Sequence, residues 1–184
     1  MIATRFETAR TIIRHAVEAD APALLRYRAE NREHFAPWEP LHDERYETLD
    51  HCVQSIVAVR DVVQLDRGYP FLVFDADESE VLATFNLANV VRGAFQACHL
   101  GYGIAARWQG QGIMREALVA GLDWAFDGLS LHRVMANYMP RNERSARLLQ
   151  GLGFEREGYA KRYLQIAGTW KDHVLTALIK PSMW

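Results

Sequence analysis

The chain of 184 residues contains only two cysteines, Cys52 and Cys98. One lies in a helix-like pattern and the other in a strand-like pattern, so the sequence gives no support for a disulfide framework or a thiolate metal site. The seven histidines show no paired spacing beside a third ligand. We therefore predict no metal.

The chain also lacks a long apolar run and an excess of positive charge. No uncharged stretch approaches the roughly 18 residues of a membrane-spanning helix, and residues 1–14 carry charges instead of the apolar core of a signal peptide. A net charge of -2 and a pI of about 6.4 exclude the strongly basic field typical of non-specific nucleic-acid binding. We expect a cytoplasmic protein with no membrane partner and no direct contact to DNA.

The length and the hydrophobic content of 49% are sufficient for one domain over residues 1–184. Local patterns give the order strand, two helices, three strands, helix, strand, helix and two strands. This order predicts an α+β fold, with a mixed, mainly antiparallel central sheet of about seven strands flanked by about four helices. The predicted strands cover 11–15, 69–75, 81–89, 97–104, 133–138, 154–165 and 169–179. The predicted helices cover 18–31, 48–66, 113–125 and 142–152, with Gly68 ending the second.

The segment 107–114 is the most informative, because Gly110 and Gly112 lie between a strand-like run and an amphipathic helix. Glycines let backbone amides point one way, and a helix start adds partial positive charge, so the segment is typical of a phosphate cradle. Neither Gly-Lys-Ser/Thr nor Gly-x-Gly-x-x-Gly is present, which excludes a Walker loop and a dinucleotide fingerprint. On spacing alone, a simple turn into a helix also fits.

The element order, the segment 107–114 and the pattern Asn-x-x-Ser-x-x-Leu-Leu-x-x-Leu-Gly-Phe over 142–154 resemble the GCN5-related N-acetyltransferases (GNAT). The resemblance covers nearly the whole chain. It implies the GNAT fold and acetyl-CoA as co-substrate. Four further segments look like the RimJ-type ribosomal-protein alanine acetyltransferases, namely 37–40, 89–93, 135–140 and 172–178.

The resemblance also implies where acetyl-CoA binds. The pyrophosphate would lie on the backbone amides of the glycine segment, and the pantetheine would pair like an added strand with the end of strand 97–104, which a bulge commonly opens. Core packing for Ile104 and a helix cap for Asn142 remain alternatives. The predicted cofactor-binding residues are Tyr102, Gly103, Ile104, Gln109, Gly110, Gln111, Gly112, Ile113, Met114 and Asn142.

The expected reaction is direct attack of a peptide α-amine on the thioester, without an acyl-enzyme. An α-amine has a reference pKa near 8 against about 10.4 for lysine, so an N-terminal substrate needs no strong base. Asn137 stands where some relatives have a proposed base, and Leu149 where many have a proposed tyrosine acid. Ser145 is the remaining candidate to hydrogen-bond the departing thiolate, with a helix-surface serine as the alternative.

Glu39 lies between two prolines in the aromatic segment 35–41, which predicts a rigid loop bordering the site. We hypothesise that Glu39 accepts a hydrogen bond from the substrate amine or a relaying water. Asn137 and Tyr138 would orient the first peptide unit, and Trp38 would form a wall. Surface charge for Glu39 and core packing for Trp38 are the alternatives.

The predicted partner is the N-terminus of a small-subunit ribosomal protein, with the ribosome or its assembly intermediates as further candidates. The acidic stretch 43–50 would attract a basic tail. One alternative is acetylation of a small-molecule amine, and another is a non-catalytic acetyl-CoA-binding or ribosome assembly factor. We expect a monomer or a weak dimer.

Overall fold

A computed structural model of the chain describes residues 4–180, which form an eight-stranded sheet with helices on both faces. The strands are β1 (Arg5–Glu7), β2 (Ile12–Arg14), β3 (Gly68–Phe74), β4 (Val81–Val91), β5 (Ala97–Ile104), β6 (Arg133–Tyr138), β7 (Glu155–Ile166) and β8 (Thr169–Ile179). The helices are α1 (Ala21–Glu30), α2 (Arg32–Phe35), α3 (Leu49–Gln64), α4 (Ile113–Asp123), which continues as a π-helical turn over Trp124–Gly128, and α5 (Glu143–Gly151).

The strand order is β1-β2-β3-β4-β5-β6-β8-β7, and every neighbouring pair is antiparallel except β5 and β6. The predicted α+β fold is therefore confirmed, with one more strand and one more helix than expected. Strand β1 and helix α2 have three and four residues, which is too short for a periodic pattern. Strand β1 pairs with β2 through a turn in which the hydroxyls of Thr8 and Thr11 lie 2.6 Å apart.

Helix α3 begins and ends through local side-chain and backbone chemistry. Its N-cap is Thr48, whose hydroxyl accepts a hydrogen bond from the amide of His51, as predicted. Its end is not set by Gly68: the left-handed residue is Asp66, with φ +53°. Gly68 begins β3, and a Cβ there would lie 3.2 Å from the carbonyl oxygen of Leu87 on β4. Glycine at this position therefore permits the two strands to approach.

Two hydrophobic cores lie on opposite faces of the sheet. One fills the space between the sheet and helices α4 and α5, and the other fills the space under α1 and α3. Helix α4 lies close against the sheet, because a Cβ on Gly121 would lie 2.7 Å from the ring of Phe85. This packing places the N-terminus of α4 beside the end of β5.

Strands β5 and β6 separate after a short paired stretch. They pair only over residues 97–99 and 133–135, while β6 remains paired with β8 as far as Tyr138. The register shift in the β4–β5 ladder lies between Ala88 and Val91, with Asn89 at φ +53°, near the start of β5. The irregularity that the resemblance implied for this strand therefore lies near its start, and residues 99–104 stay in regular register with β4. The cleft between the two strand ends arises from their divergence.

Candidate active site

The turn before α4 has the geometry of an anion cradle. Gly110 and Gly112 have φ values of +74° and +79°, in the left-handed region that favours glycine, and Gly112 is the N-cap of α4. Arg10 donates to the carbonyl oxygen of Gln111 at 2.8 Å and forms an ion pair with Glu116 on α4 at 2.7 Å. The turn is thus braced against the helix, whose first amides have no helical acceptor.

A groove of about 580 Å³ runs from this turn to the cleft between β5 and β6. Nine of the ten predicted cofactor-binding residues line it, and Ser145 lies beside them. The exception is Gln111, whose side chain donates to the carbonyl oxygen of Arg107 at 2.9 Å. We call this space the cofactor groove.

Three arginines also line the cofactor groove, namely Arg115, Arg144 and Arg147. Together with the N-terminus of α4 they give one wall positive charge, which suits the phosphates of a nucleotide. Arg107 is not among them. It forms an ion pair with Glu80, which also accepts a hydrogen bond from the indole of Trp108 at 2.9 Å. Of Arg107 and Arg115, the two arginines on either side of the glycine turn, only Arg115 lines the groove.

The side chain of Gln109 connects two sides of the cofactor groove. Its Nε2 lies 2.9 Å from Nε2 of His34, and its Oε1 accepts a hydrogen bond from Arg144. The same His34 nitrogen lies 3.2 Å from the carbonyl oxygen of Ile104. Sequence reasoning missed His34, because it belongs to the short helix α2 and carries no motif.

A second space of about 510 Å³, the acceptor cavity, lies under α1 and α3. Its floor includes Thr84 and Asn86 on β4, which pair with Gly103 and Gly101 on β5. A Cβ on Gly101 would meet nothing within 4 Å, so the missing side chain leaves open space. All four predicted substrate-binding residues line this cavity: Trp38, Glu39, Asn137 and Tyr138.

The cofactor groove and the acceptor cavity meet at a small set of shared residues. Where they meet, the Tyr102 hydroxyl lies 2.6 Å from the Oγ of Ser145. Burial raises the pKa of Tyr102 to about 12, so its phenol is neutral at physiological pH. The shared lining residues are Phe35, Trp38, Tyr102, Gly103, Asn142 and Ser145.

Asn142 is the helix cap that was one of its two interpretations, and its contact with the cofactor stays a prediction. Its Oδ1 accepts a hydrogen bond from the amide of Ser145 at 3.1 Å, which caps α5, and the residue also lines the cofactor groove. Ser145 is half-buried rather than a helix-surface serine. The cap and the contact with Tyr102 together orient its hydroxyl toward the junction.

Glu39 borders the acceptor cavity and a third, outer cavity of about 450 Å³. Its carboxylate lies 3.1 Å from Nε2 of His42, and its backbone carbonyl accepts a hydrogen bond from the amide of Ala167 at 2.9 Å. Next to it, a Cβ on Gly168 would lie 3.0 Å from the side chain of Leu41. The 39–41 loop therefore touches the tip of the β7–β8 hairpin over the acceptor cavity.

Three further residues of the acceptor cavity were missed from the sequence, namely Tyr27, Arg28 and His173. The hydroxyl of Tyr27 is buried without a hydrogen-bond partner in the described part of the chain, and burial raises its pKa. Nδ1 of the buried His173 lies 3.0 Å from the carbonyl oxygen of Lys171. The helical pattern indicated only that Tyr27 belongs to a buried face.

Cys98 does not provide a nucleophile. It is buried in the core between the sheet and α4, and burial raises the pKa of its thiol to about 12. It lines neither the cofactor groove nor the acceptor cavity. The structure therefore gives Cys98 no position from which its thiol could carry an acetyl group.

The predicted acidic stretch is partly neutralised. Glu47 pairs with Arg32, and Asp43 pairs with Arg45 at 2.9 Å.

Over residues 4–180, no helix is long and apolar enough to cross a membrane. The same residues contain no group of three His, Cys, Asp or Glu side chains that could hold a metal ion.

Comparisons with known proteins agree with this geometry. Residues 10–155 match the acetyltransferase (GNAT) domain family. The chain is 46% identical over 182 residues to the [ribosomal protein uS5]-alanine N-acetyltransferase of Escherichia coli K12, covering 96% of this chain and 91% of the relative. It superimposes on the ribosomal-protein-S5-alanine acetyltransferase of Vibrio fischeri with a TM-score of 0.92 and 38% identity, covering 98% and 99% of the two chains.

A further similar structure is Mycobacterium smegmatis RimJ in complex with CoA-disulfide. Its TM-score is 0.90 at 30% identity, and the match covers 96% of this chain and 87% of that one. The split between β5 and β6, the left-handed glycine turn before α4 and the matched family domain all lead to the same conclusion: the chain belongs to the GNAT acetyltransferase family.

Proposed function

We propose that this acetyltransferase transfers the acetyl group of acetyl-CoA to the N-terminal α-amine of alanine in a small-subunit ribosomal protein. The observation that carries the proposal is the meeting of the cofactor groove and the acceptor cavity at Tyr102 and Ser145. Similarity over nearly the whole chain to ribosomal-protein alanine acetyltransferases supports the choice of acceptor.

Acetyl-CoA, when bound, supplies an activated acetyl thioester. The amides of the glycine turn and the arginines Arg115, Arg144 and Arg147 would hold its phosphates, and the diverging end of β5 would hold the pantetheine. Ser145 would donate a hydrogen bond to the departing sulfur, with Tyr102 as its partner. These residues would therefore favour the transfer mainly by positioning and electrostatics.

The acceptor amine would enter from the acceptor cavity. Because an α-amine has a reference pKa near 8, roughly a tenth of it is neutral at pH 7, and a hydrogen-bond acceptor is sufficient to orient it. Glu39 is the carboxylate proposed for that role, since it lines the acceptor cavity with its carboxylate near His42. Asn137 and Tyr138 lie on the β6 side of the same cavity and would hold the first peptide unit.

The experiment that tests the proposal measures thiol release from acetyl-CoA with four acceptors. These are an alanine-starting peptide with a ribosomal-protein N-terminus, the same peptide already acetylated, a polyamine and an aminoglycoside. We expect release with the free alanine peptide only. Release with the small amines but not with the peptide would favour the small-molecule alternative, and cofactor binding without release would favour the non-catalytic alternative.

Mass spectrometry of ribosomal-protein N-termini from cells with and without the protein identifies the acceptor. We expect a single N-acetyl group to disappear from one small-subunit protein. Sucrose-gradient sedimentation tests separately whether the protein associates with the ribosome or its assembly intermediates.

A further inference from the structure

We propose that Arg28 forms a recognition subsite of the acceptor cavity that binds the carboxylate of an acidic residue close behind the acceptor's N-terminal alanine. The inference rests on the proposed function and deepens it, because it names a sequence feature that the acceptor must carry. It is drawn from the contacts, the charge and the position of this side chain.

Arg28 is half-buried on α1, and its guanidinium is only partly satisfied. Nη1 donates to the carbonyl oxygen of Tyr46 at 3.0 Å, and the guanidinium lies 4.1 Å from the centre of the Tyr46 ring. Nη1 also donates to Sγ of Cys52 at 3.5 Å, an ordinary length for a sulfur acceptor, whereas the 3.5 Å contact between Nη2 and Oγ of Ser55 is at the limit for oxygen. Nε has no acceptor in the described part of the chain.

No carboxylate of residues 4–180 lies within 4.0 Å of this guanidinium, so Arg28 has no ion-pair partner there. Glu47 on the neighbouring segment is in contact with Arg32, and Arg28 acts on it only at longer range, as a weaker influence than Arg32 in lowering the pKa of Glu47. A half-buried cation with no carboxylate in contact is desolvated with little compensation. An anionic group on a ligand would complete the pairing.

The position of Arg28 indicates which part of the acceptor peptide it would contact. Its side chain lines both the acceptor cavity and the outer cavity, so it lies at the neck between them, together with Phe35, Glu39 and Tyr46. A peptide whose amine reaches the junction with the cofactor groove would run its next residues past this neck. An extended chain advances about 3.3 Å per residue, so we assign the subsite to the residues directly behind the alanine, positions two to four of the acceptor.

The chemistry of the guanidinium favours a carboxylate over a neutral group at this neck. The planar guanidinium matches a carboxylate through two parallel hydrogen bonds, and charge-assisted bonds are stronger than neutral ones. Deeper in the same cavity, Oδ1 of Asn86 is buried without a partner among the described residues and, as an acceptor, would suit an N–H group of the peptide. The acceptor cavity thus contains polar groups without hydrogen-bond partners, and the methyl side chain of an alanine could not pair with them.

The test uses alanine-starting octapeptides that carry either glutamate or glutamine at position two, three or four. With the native enzyme we expect kcat/KM to be about tenfold higher for glutamate than for glutamine at one of these positions, mainly through KM, which corresponds to one charge-assisted hydrogen bond. Arg28→Met should abolish the preference, and Arg28→Lys should retain part of it. The matched control is Arg26→Met, an exposed arginine on the same helix that contacts the carbonyl oxygen of Ser79.

Equal rates for glutamate and glutamine peptides with the native enzyme would overturn the inference, and so would a preference that survives in Arg28→Met. The comparison of glutamate and glutamine peptides with the native enzyme tests the inference even if a variant fails to fold. Thermal melting would detect such a variant. The proposed function fails differently, since no alanine-starting peptide of any sequence would then be acetylated.

Discussion

The Tyr102 hydroxyl on β5 and the Ser145 hydroxyl on α5 lie 2.6 Å apart, although 43 positions separate them in the sequence. The contact lies where the cofactor groove and the acceptor cavity meet. Its two partners are held independently, because the sheet fixes Tyr102 and the Asn142 cap fixes the first turn of α5. A hydroxyl positioned in this way would be preorganised to stabilise the negative charge that develops on sulfur, which is the role proposed for Ser145.

Removing the Ser145 hydroxyl should slow the transfer step. We expect Ser145→Ala to lower kcat by about 10- to 100-fold, the size of one hydrogen bond to a charged group, with little change in acetyl-CoA affinity. Tyr102→Phe should have a smaller effect, and the double variant should resemble Ser145→Ala because the two hydroxyls act as one unit. Steady-state kinetics and calorimetric titration with CoA measure these effects. Unchanged kcat in Ser145→Ala would exclude the assigned role.

Tyr102 should also make folding stability depend on alkaline pH. Its folded pKa of about 12 lies above the unfolded value of 10.0, so stability is complete below pH 10 and falls as the pH rises toward 12, where the unfolded state binds fewer protons. A shift of two units corresponds to about 3 kcal/mol. Urea unfolding between pH 8 and 11.5 should show a shallower loss for Tyr102→Phe than for the native protein. Parallel curves would contradict the buried, neutral phenol.

Because Gly112 has a left-handed backbone conformation, replacing it by any residue with a side chain should strain the turn. Gly112→Ala places a Cβ at φ +79°, a backbone conformation that is strained for an L side chain, so the turn would shift although the nearest atom, Nη2 of Arg10, is at an ordinary contact distance of 3.5 Å. We expect about tenfold weaker CoA binding, measured by calorimetry, and a free energy of unfolding lower by about 1–3 kcal/mol. Gly151→Ala is the matched control, because a Cβ there meets nothing within 4 Å. Similar CoA affinity in both variants would argue against the cradle.

Filling the space above Gly101 should weaken binding of the peptide without weakening binding of CoA. Gly101→Leu adds a side chain that projects into the open space of the acceptor cavity, whereas the cofactor groove does not include this residue. We expect KM for the peptide to rise about tenfold or more, because the peptide would lose hydrophobic and polar contacts in the cavity. The affinity for CoA should stay within about twofold of the native value. Gly101→Ala should show the smaller effect of one methyl group. A loss of CoA affinity equal to that of peptide affinity would show that the cavities are not separate.

Glu39→Gln tests the proposed hydrogen bond to the substrate amine. The substitution keeps the shape but removes the charge beside His42. We expect kcat/KM for the peptide to fall about tenfold near pH 7, with a smaller loss above pH 8, where the α-amine is already neutral. Glu44→Gln is the control, since Glu44 lines the outer cavity only. An unchanged pH profile would remove Glu39 from the mechanism.

The parts of the fold with strong local signals were predictable from the sequence. The strand 133–138 was predicted with the observed bounds, and the glycine turn and the Asn142 cap lie where local chemistry places them. Strand β1 and helix α2 were missed, since three or four residues carry no periodicity and owe their structure to tertiary contacts.

The residues of the candidate site likewise include some that the sequence predicts and some that it does not. The glycine turn of the cofactor groove follows from glycine spacing, and nine of the ten residues predicted from spacing and resemblance to bind the cofactor line this groove. Side chains such as Tyr27, Arg28 and His173 read as ordinary positions of a helix or a strand, and only the folding of distant elements brings them to one cavity. The hydroxyl of Tyr102 was missed for the same reason, because the sequence indicated a role for its backbone alone.

The hydrogen bond between Glu39 and Ala167 links two distant stretches of the chain across one binding site. The cofactor groove draws its lining from residues no later than Leu148, whereas the acceptor cavity also draws on Leu164, Ile166 and His173 from the last hairpin. Changes in the sequence of this hairpin would therefore alter the lining of the acceptor cavity while leaving the lining of the cofactor groove unchanged.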